Sequence, residues 1–251
     1  MKQNRNKSGI FASFLGIVLI CVLIQTAGWI KGDSLVFPSI IEIFKSAFKL
    51  LQDKQTFFKI LVTFKHLAIS LLISSVIGIC VGVLEGKSSF VRALFRPLET
   101  FLRSIPMIVM VVVIMVITKY EYVPVIATTL FLIPLISEAT CEGCLSLDKD
   151  LLDVYRMEGD FSFRILRRVY IPLMAGYLKQ AYISAVGMGM KVVVSTEYLV
   201  QTNNSLGKAI YSSSYFNEYQ DIYAYALIMI LLVLIVSELP LLPGRFKNRN
   251  R

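Results

Sequence analysis

Apolar residues in this chain fall in long runs rather than at amphipathic spacing. A helix of about 20 such residues crosses the hydrocarbon core of a bilayer. Six runs reach or approach that length, at about 10–29, 66–84, 105–118, 123–137, 177–200 and 222–239. The third and fourth are short and are separated only by Lys119-Tyr120-Glu121-Tyr122, which reads as a tight hairpin. In the second run Gly78 and Gly82 share a face four residues apart, a spacing that lets helices approach closely in lipid. The pattern predicts an all-α membrane protein of about six transmembrane helices, a single domain over residues 1–251 with no repeat and no low-complexity tract.

Two polar stretches carry patterns of their own. Between the first two runs, Ile40, Ile41, Phe44, Phe48 and Leu51 recur at helical spacing behind Pro38-Ser39. They predict an amphipathic helix on the outer surface or against the bundle. Between the fourth and fifth runs lies a polar segment over 138–176, whose centre reads DKDLLDVYRMEGDFSFRILRRVYIP from Asp148 to Pro172. Ser146 or Asp148 can cap a helix starting near Lys149. Leu151, Leu152 and Tyr155 give that helix an apolar side, Gly159 ends it as a terminating glycine does, and Asp160 can cap a second short helix ending near Pro172. The segment predicts two short helices bent at Gly159 at the membrane face, a place for another protein to take hold or an amphipathic pair resting at the interface.

Composition agrees with the pattern and charge orients it. The 251 residues are 56% hydrophobic with a mean hydropathy of +0.67, above the roughly 45–50% apolar content of soluble domains. The net charge is +9. With the N-terminus in the cytoplasm, the inside segments hold most of the 26 basic residues and every arginine. Both termini are therefore expected in the cytoplasm, and no soluble domain is left to use the charge on nucleic acid. The basic start, KQNRNK, followed by apolar residues running on to Trp29, reads as an uncleaved first span rather than a signal peptide. Cys141 and Cys144 form a lone CxxC without the further ligands a zinc site needs, and read as reduced packing residues. The single His66 opens the second run and receives no role.

With these elements in place, a family resemblance appears. Asp153-Val154-Tyr155, three residues, Gly159, nine residues and Val169-Tyr170-Ile171-Pro172 resemble the EAA loop of ABC importer permeases. Phe37-Pro38-Ser39, Arg103-Ser104-Ile105-Pro106, Ser146-Leu147-Asp148, Glu197 and Ser205-Leu206-Gly207 fall where the nitrate, sulfonate and taurine group has similar residues. The resemblance covers about 36–251 and implies the type I importer permease fold in the bacterial cytoplasmic membrane. It implies a non-catalytic subunit that works with a pair of ATP-hydrolysing subunits, a second copy or sister permease, an external solute-binding protein and membrane lipid. ATP and Mg would be bound by the ATPase, with no cofactor or metal in this chain. Asp153, Val154, Tyr155, Arg156, Gly159 and Pro172 would form the ATPase-coupling element. Val154 and Tyr155 replace the family's small alanines, which implies a reshaped docking cleft on a dedicated ATPase. The implied cargo is a small polar solute: an oxyanion, a sulfonate or a vitamin-precursor-like molecule.

Inside the fifth run, Lys191, Ser195 and Glu197 are candidates for the translocation path. A charge in hydrocarbon costs several kcal/mol unless paired or hydrated and marks a functional position; it can also be a structural ion pair or an ammonium reaching for the interface. Glu197 is a poor partner for Lys191, being about 240° around the helix. Gly187 and Gly189 predict tight packing, as at a permease–permease interface. A membrane-embedded enzyme would need a cluster of Asp, Glu or His at a span end, and Glu138 and Glu142 alone read as solvated. An ion-driven secondary transporter commonly carries internal repeats, which this sequence lacks.

Overall fold

The computed structural model describes residues 15, 16, 19, 22, 25, 26, 36–146 and 171–238. Every regular element among them is a helix: α1 (Ile40–Gln52), α2 (Lys54–Lys87), α3 (Ser89–Ser104), α4 (Met107–Ile117), α5 (Val123–Leu145), α6 (Ala175–Val200), α7 (Leu206–Tyr215) and α8 (Tyr219–Glu238), with short turns at Tyr120–Tyr122 and Ile171–Leu173. The six positions described within the first predicted span are all helical.

Three helices form the centre. α2 and α5 run side by side in the same direction, and α6 returns antiparallel against both. The buried positions of α2 include Thr63, Leu67, Ser70, Ser74, Gly78 and Gly82, a stripe of mostly small residues at three- and four-residue spacing. A Cβ on Gly78 would stand 2.9 Å from the Ile136 Cβ, and one on Gly82 would collide with the Ser137 carbonyl oxygen. Without side chains there, the two backbones close to a distance that dispersion rewards, the usual driving term between helices in lipid. Ser70 Oγ donates to the Val125 carbonyl at 3.1 Å and fixes the end of the same seam that the charge pattern puts outside. Gly189 brings α6 in: its Cβ would stand 2.8 Å from Leu67 Cδ1. The tight packing expected of Gly189 is therefore within this chain. Gly187 meets only Val233, at 3.8 Å.

Three predicted spans change length. The second begins twelve residues before His66, because Asp53 caps α2 by accepting from the Gln55 and Thr56 amides, so its outer end extends the amphipathic segment rather than leaving it a loop. The fourth runs on past Ser137 to Leu145, carrying Glu138 and Glu142 beyond the apolar core. Ser146 donates to the Gly143 carbonyl at the end of this helix, and the helix it could cap near Lys149 lies outside the described residues. The third is not a full crossing. α4 has 11 residues, about 16 Å at 1.5 Å per residue, roughly half the hydrocarbon thickness, and it bends 100° from α3 at Ile105-Pro106. Four described helices are long and apolar enough to cross a bilayer alone, and the bent α3–α4 pair makes a fifth if it is one broken crossing.

The predicted outer helix is α1, started by a capping box in which Ser39 and Glu42 satisfy each other's backbone amides. It docks on the outer half of α8 through Ala47, Leu50 and the Ser46 hydroxyl, which donates to Asp221 at 2.5 Å. Its larger residues Ile41, Phe44, Phe48 and Leu51 point away from the chain.

The α2–α5 seam predicts the result of adding side chains to it. Gly82→Val is expected to lose about 1–3 kcal/mol by overpacking, read as a lowered Tm and a lowered monodisperse yield in detergent. Gly176→Ala, where a Cβ meets nothing within 4 Å, is expected to leave both unchanged.

Candidate functional site: a polar stripe on α6 between a clamped loop and a buried carboxyl

The coupling loop reaches α6 through a clamped base. Of the proposed coupling residues, Asp153, Val154, Tyr155, Arg156 and Gly159 lie outside the described residues, and Pro172 is exposed in the turn at Ile171–Leu173. Just after it, Met174 is fully buried with Val83, Cys144 and Leu178. The Cys144 thiol donates to the Met174 sulfur at 3.2 Å, and Gly143 makes room for the same side chain. Cys144, the last turn of α5, and Met174, the entry to α6, thus hold the two ends of the loop together. Cys141 and Cys144 are unbridged and buried, and no metal-ligand cluster occurs among the described residues.

From this base α6 rises through the bundle with one polar side. Tyr177, Gln180, Ser184, Lys191 and Ser195 fall within about 60° of one another at about 100° per residue. All but half-buried Ser184 are exposed. Two clefts follow the stripe and meet at Ser184. The inner one, of about 340 Å³, lies between α5 and α6 and includes Glu138, Glu142 and Gln180. The outer one, of about 580 Å³, lies between α6 and α8, with Lys191 and Ser195 set among Met188, Met229, Ile230 and Val233. Lys191 makes no hydrogen bond or ion pair with the described residues.

Glu197 does not face this cleft. It is fully buried on the other side of α6, where His66 Nδ1 lies 2.7 Å from its Oε1, the place of an N–H donor. Its Oε2 accepts from the Thr63 hydroxyl at 2.8 Å and from the Gly207 amide at 3.2 Å. The Thr63 oxygen in turn accepts from the Leu206 amide at 3.0 Å. Glu197 therefore ties α2, α6 and the N-terminus of α7 at one point, and the α7 amides present the positive end of a helix to its carboxyl. Gly207 is required there, since a Cβ would collide with the Glu197 side chain and with the α6 backbone. α6 ends just beyond at Gln201, in the left-handed region at φ 55°.

The structure thus brings Lys191 and Ser195 together, sets Glu197 apart from them, and gives His66 a partner. Sequence reasoning missed His66, Thr63, Gly207 and Met174. A lone histidine carries no spacing signal, and its partner lies 131 positions away. Ser205-Leu206-Gly207 was visible as a motif, but its use as a helix start over a buried carboxyl was not.

Comparison with known proteins agrees with this architecture. The model of the binding-protein-dependent transport system inner membrane component family matches residues 74–239. A probable ABC transporter permease protein of Brucella melitensis is 25% identical over 198 residues, 77% of this chain and 80% of that protein. The bicarbonate transport system permease protein CmpB of Synechococcus elongatus is 25% identical over 196 residues, 77% of this chain and 68% of that protein. Among solved structures, a bacterial ABC transporter involved in the import of alginate shares the fold with a TM-score of 0.65 at 13% identity, over 98% of both chains. The MetNI methionine ABC transporter, inward facing, does so with a TM-score of 0.58 at 20% identity, over 74% of this chain and 94% of that one. With well over half of its length inside the family model, the chain belongs to the binding-protein-dependent transport system inner membrane components, the permease subunits of ABC importers.

Proposed function

We propose that this permease passes a small anionic solute, an oxyanion, carboxylate or sulfonate, along the polar stripe of α6 in a bacterial cytoplasmic membrane. A solute-binding protein delivers it outside, and a pair of ATPase subunits drives the cycle through the loop from Asp153 to Pro172. The observation that carries the reading is Lys191, an ammonium with no partner among the described residues, in mid-span on a stripe of hydroxyl and amide groups. Lipid does not reward such a surface, and an anion does. The name of the Synechococcus relative, a bicarbonate permease, points to the same class of cargo.

The parts suit a transmitted movement. Because the loop ends are clamped at Cys144 and Met174, a push on the loop moves the inner end of α6 as a unit. The distance from Met174 to Lys191 is about 26 Å at the helical rise, all of it within one continuous helix. At the outer end the Glu197 contacts make α6, α2 and α7 respond together, so we assign Glu197 a positioning role at the outer gate rather than contact with the solute.

Three outcomes test this. Lys191→Met, reconstituted with its ATPase, is expected to lower ATP-driven uptake of the anionic cargo by about tenfold or more, the worth of one charge-assisted hydrogen bond; uptake at the parental rate sinks the anion-path assignment. Gly159→Pro is expected to abolish uptake while the permease still folds, and a chain that co-purifies with no ATPase subunit overturns the importer reading. Glu197→Ala leaves the donors on Thr63, His66 and Gly207 unmatched and is expected to cost about 3 kcal/mol, read as a fall in Tm. The His66→Ala, Glu197→Ala double variant should cost less than the sum of the two singles.

A further inference from the structure

A third cleft, of about 420 Å³, lies at the inner face between α3 and α5, outside the α6 stripe. It is lined by Glu85, Glu99, Glu138 and Glu142 together with Arg92, Arg96 and Arg103. Part of this charge is internally matched. Arg103 pairs with Glu138 at 2.7 Å and donates to the Pro134 carbonyl. Arg92 donates twice to the Glu85 backbone carbonyl, ending α2.

The remainder is not matched. Glu85 is 2% exposed; Ser137 donates to its Oε2 at 3.1 Å, but its Oε1 is buried with no hydrogen-bond partner among the described residues. A buried Glu99 oxygen also lacks one. A buried carboxyl oxygen without a donor costs about 1–3 kcal/mol or more, so the site calls for N–H donors from elsewhere. On the same cleft Arg96, exposed, has no acceptor among the described residues. The unmet groups are thus acceptors for a cation bearing hydrogens, beside a donor for an anion.

The helix forming the outer wall shows where such a ligand would come from. Phe90, Leu94, Leu98 and Phe101 of α3 are all exposed and fall within about 80° of one another, while Arg92, Arg96, Glu99 and Arg103 fall within about 60° on the opposite side. With α3 bent 100° from α4, it runs along the membrane face when α4 follows the bundle. An amphipathic helix in that position carries its apolar side at the acyl boundary and its basic side at headgroup level.

We propose that this cleft binds the headgroup of a primary-amine phospholipid, phosphoethanolamine in chemistry, with its ammonium on the free oxygens of Glu85 and Glu99 and its phosphate on Arg96. A choline headgroup, which has no N–H, would not satisfy the carboxyls.

The test uses the full chain purified in mild detergent and exchanged into nanodiscs of equal phosphatidylethanolamine, phosphatidylcholine and phosphatidylglycerol, with retained lipid read by native mass spectrometry. The parent is expected to retain phosphatidylethanolamine about tenfold over phosphatidylcholine. Glu85→Gln, which replaces the free acceptor with a donor, and Arg96→Ala, an exposed position that leaves the fold intact, are each expected to bring that ratio toward one. Equal retention of the two lipids by the parent, or a ratio unmoved by Arg96→Ala, overturns the proposal. So does soluble glycerophosphoethanolamine displacing the lipid at equal concentration, since the cleft would then serve a soluble zwitterion rather than a lipid. None of these readouts depends on transport, so they stand apart from the proposed cargo.

Discussion

The fold depends on how closely α2 and α5 approach. In lipid no hydrophobic gain separates a packed helix pair from two helices facing acyl chains, so contact distance decides. Ser70, Ser74, Gly78 and Gly82 remove side-chain volume from one face of α2, and Ile136, Ser137 and Thr140 occupy the space. The two helices point the same way, so α3 and α4 must return the chain between them. The return is made by a helix at the inner face and a half-length helix joined at a sharp bend. Once this pair is set, Gly189 admits α6 to the groove against Leu67 and Leu132, and the inner and outer ends of α6 acquire their fixed points.

Those fixed points differ in kind. At the inner end the contact is soft: a thioether, a thiol and a glycine, groups that tolerate sliding. At the outer end it is directional, with one carboxyl accepting from a threonine, facing a histidine and meeting a backbone amide at the head of α7. A movement begun at the loop meets little angular resistance at Met174 and a defined geometry at Glu197. That asymmetry suits the proposed role of α6, a helix that passes displacement outward and stops in distinct positions.

Much of the bundle was legible because its signals are local. Run length located the four described helices long enough to cross a bilayer, the Gly78 and Gly82 spacing marked the seam, and Pro38-Ser39 marked the start of α1. Where the sequence misled, the deciding contact was distant or the local signal was incomplete. The apolar stripe located α1 without saying which face would dock; the helix docks by Ala47 and Ser46, where Asp221 of α8 supplies a hydrogen-bond acceptor. The run at 105–118 gave no sign of the 100° bend between α3 and α4, because hydropathy does not record one. Glu138 read as solvated and pairs with Arg103, a partner one helix away. Glu197 looked like a path residue because a charge in a span is read as functional by default, while the donors that satisfy it lie on other helices.

The contrast between Glu197 and Lys191 shows how such residues are told apart. Both are charged groups in one transmembrane helix, six residues apart. Each costs several kcal/mol in hydrocarbon if left alone. Glu197 meets that cost inside the chain: its two oxygens find three donors on two other helices, and a glycine is kept at Gly207 so that the amide can reach it. Removing His66 leaves Oε1 unmatched, and Oε2 is shared by Thr63 and the Gly207 amide, which makes the cluster a structural tie. Lys191 has no such provision, and around it the wall is methionine and branched aliphatic carbon with Ser195 one turn away. A cation in that setting is stable only if water, a second protein surface or a passing anion solvates it. Lys191 lies on the same stripe as Gln180 and Ser184, so the groups that could share such solvation line one side of α6, as the proposed conduit requires and an isolated ion pair does not.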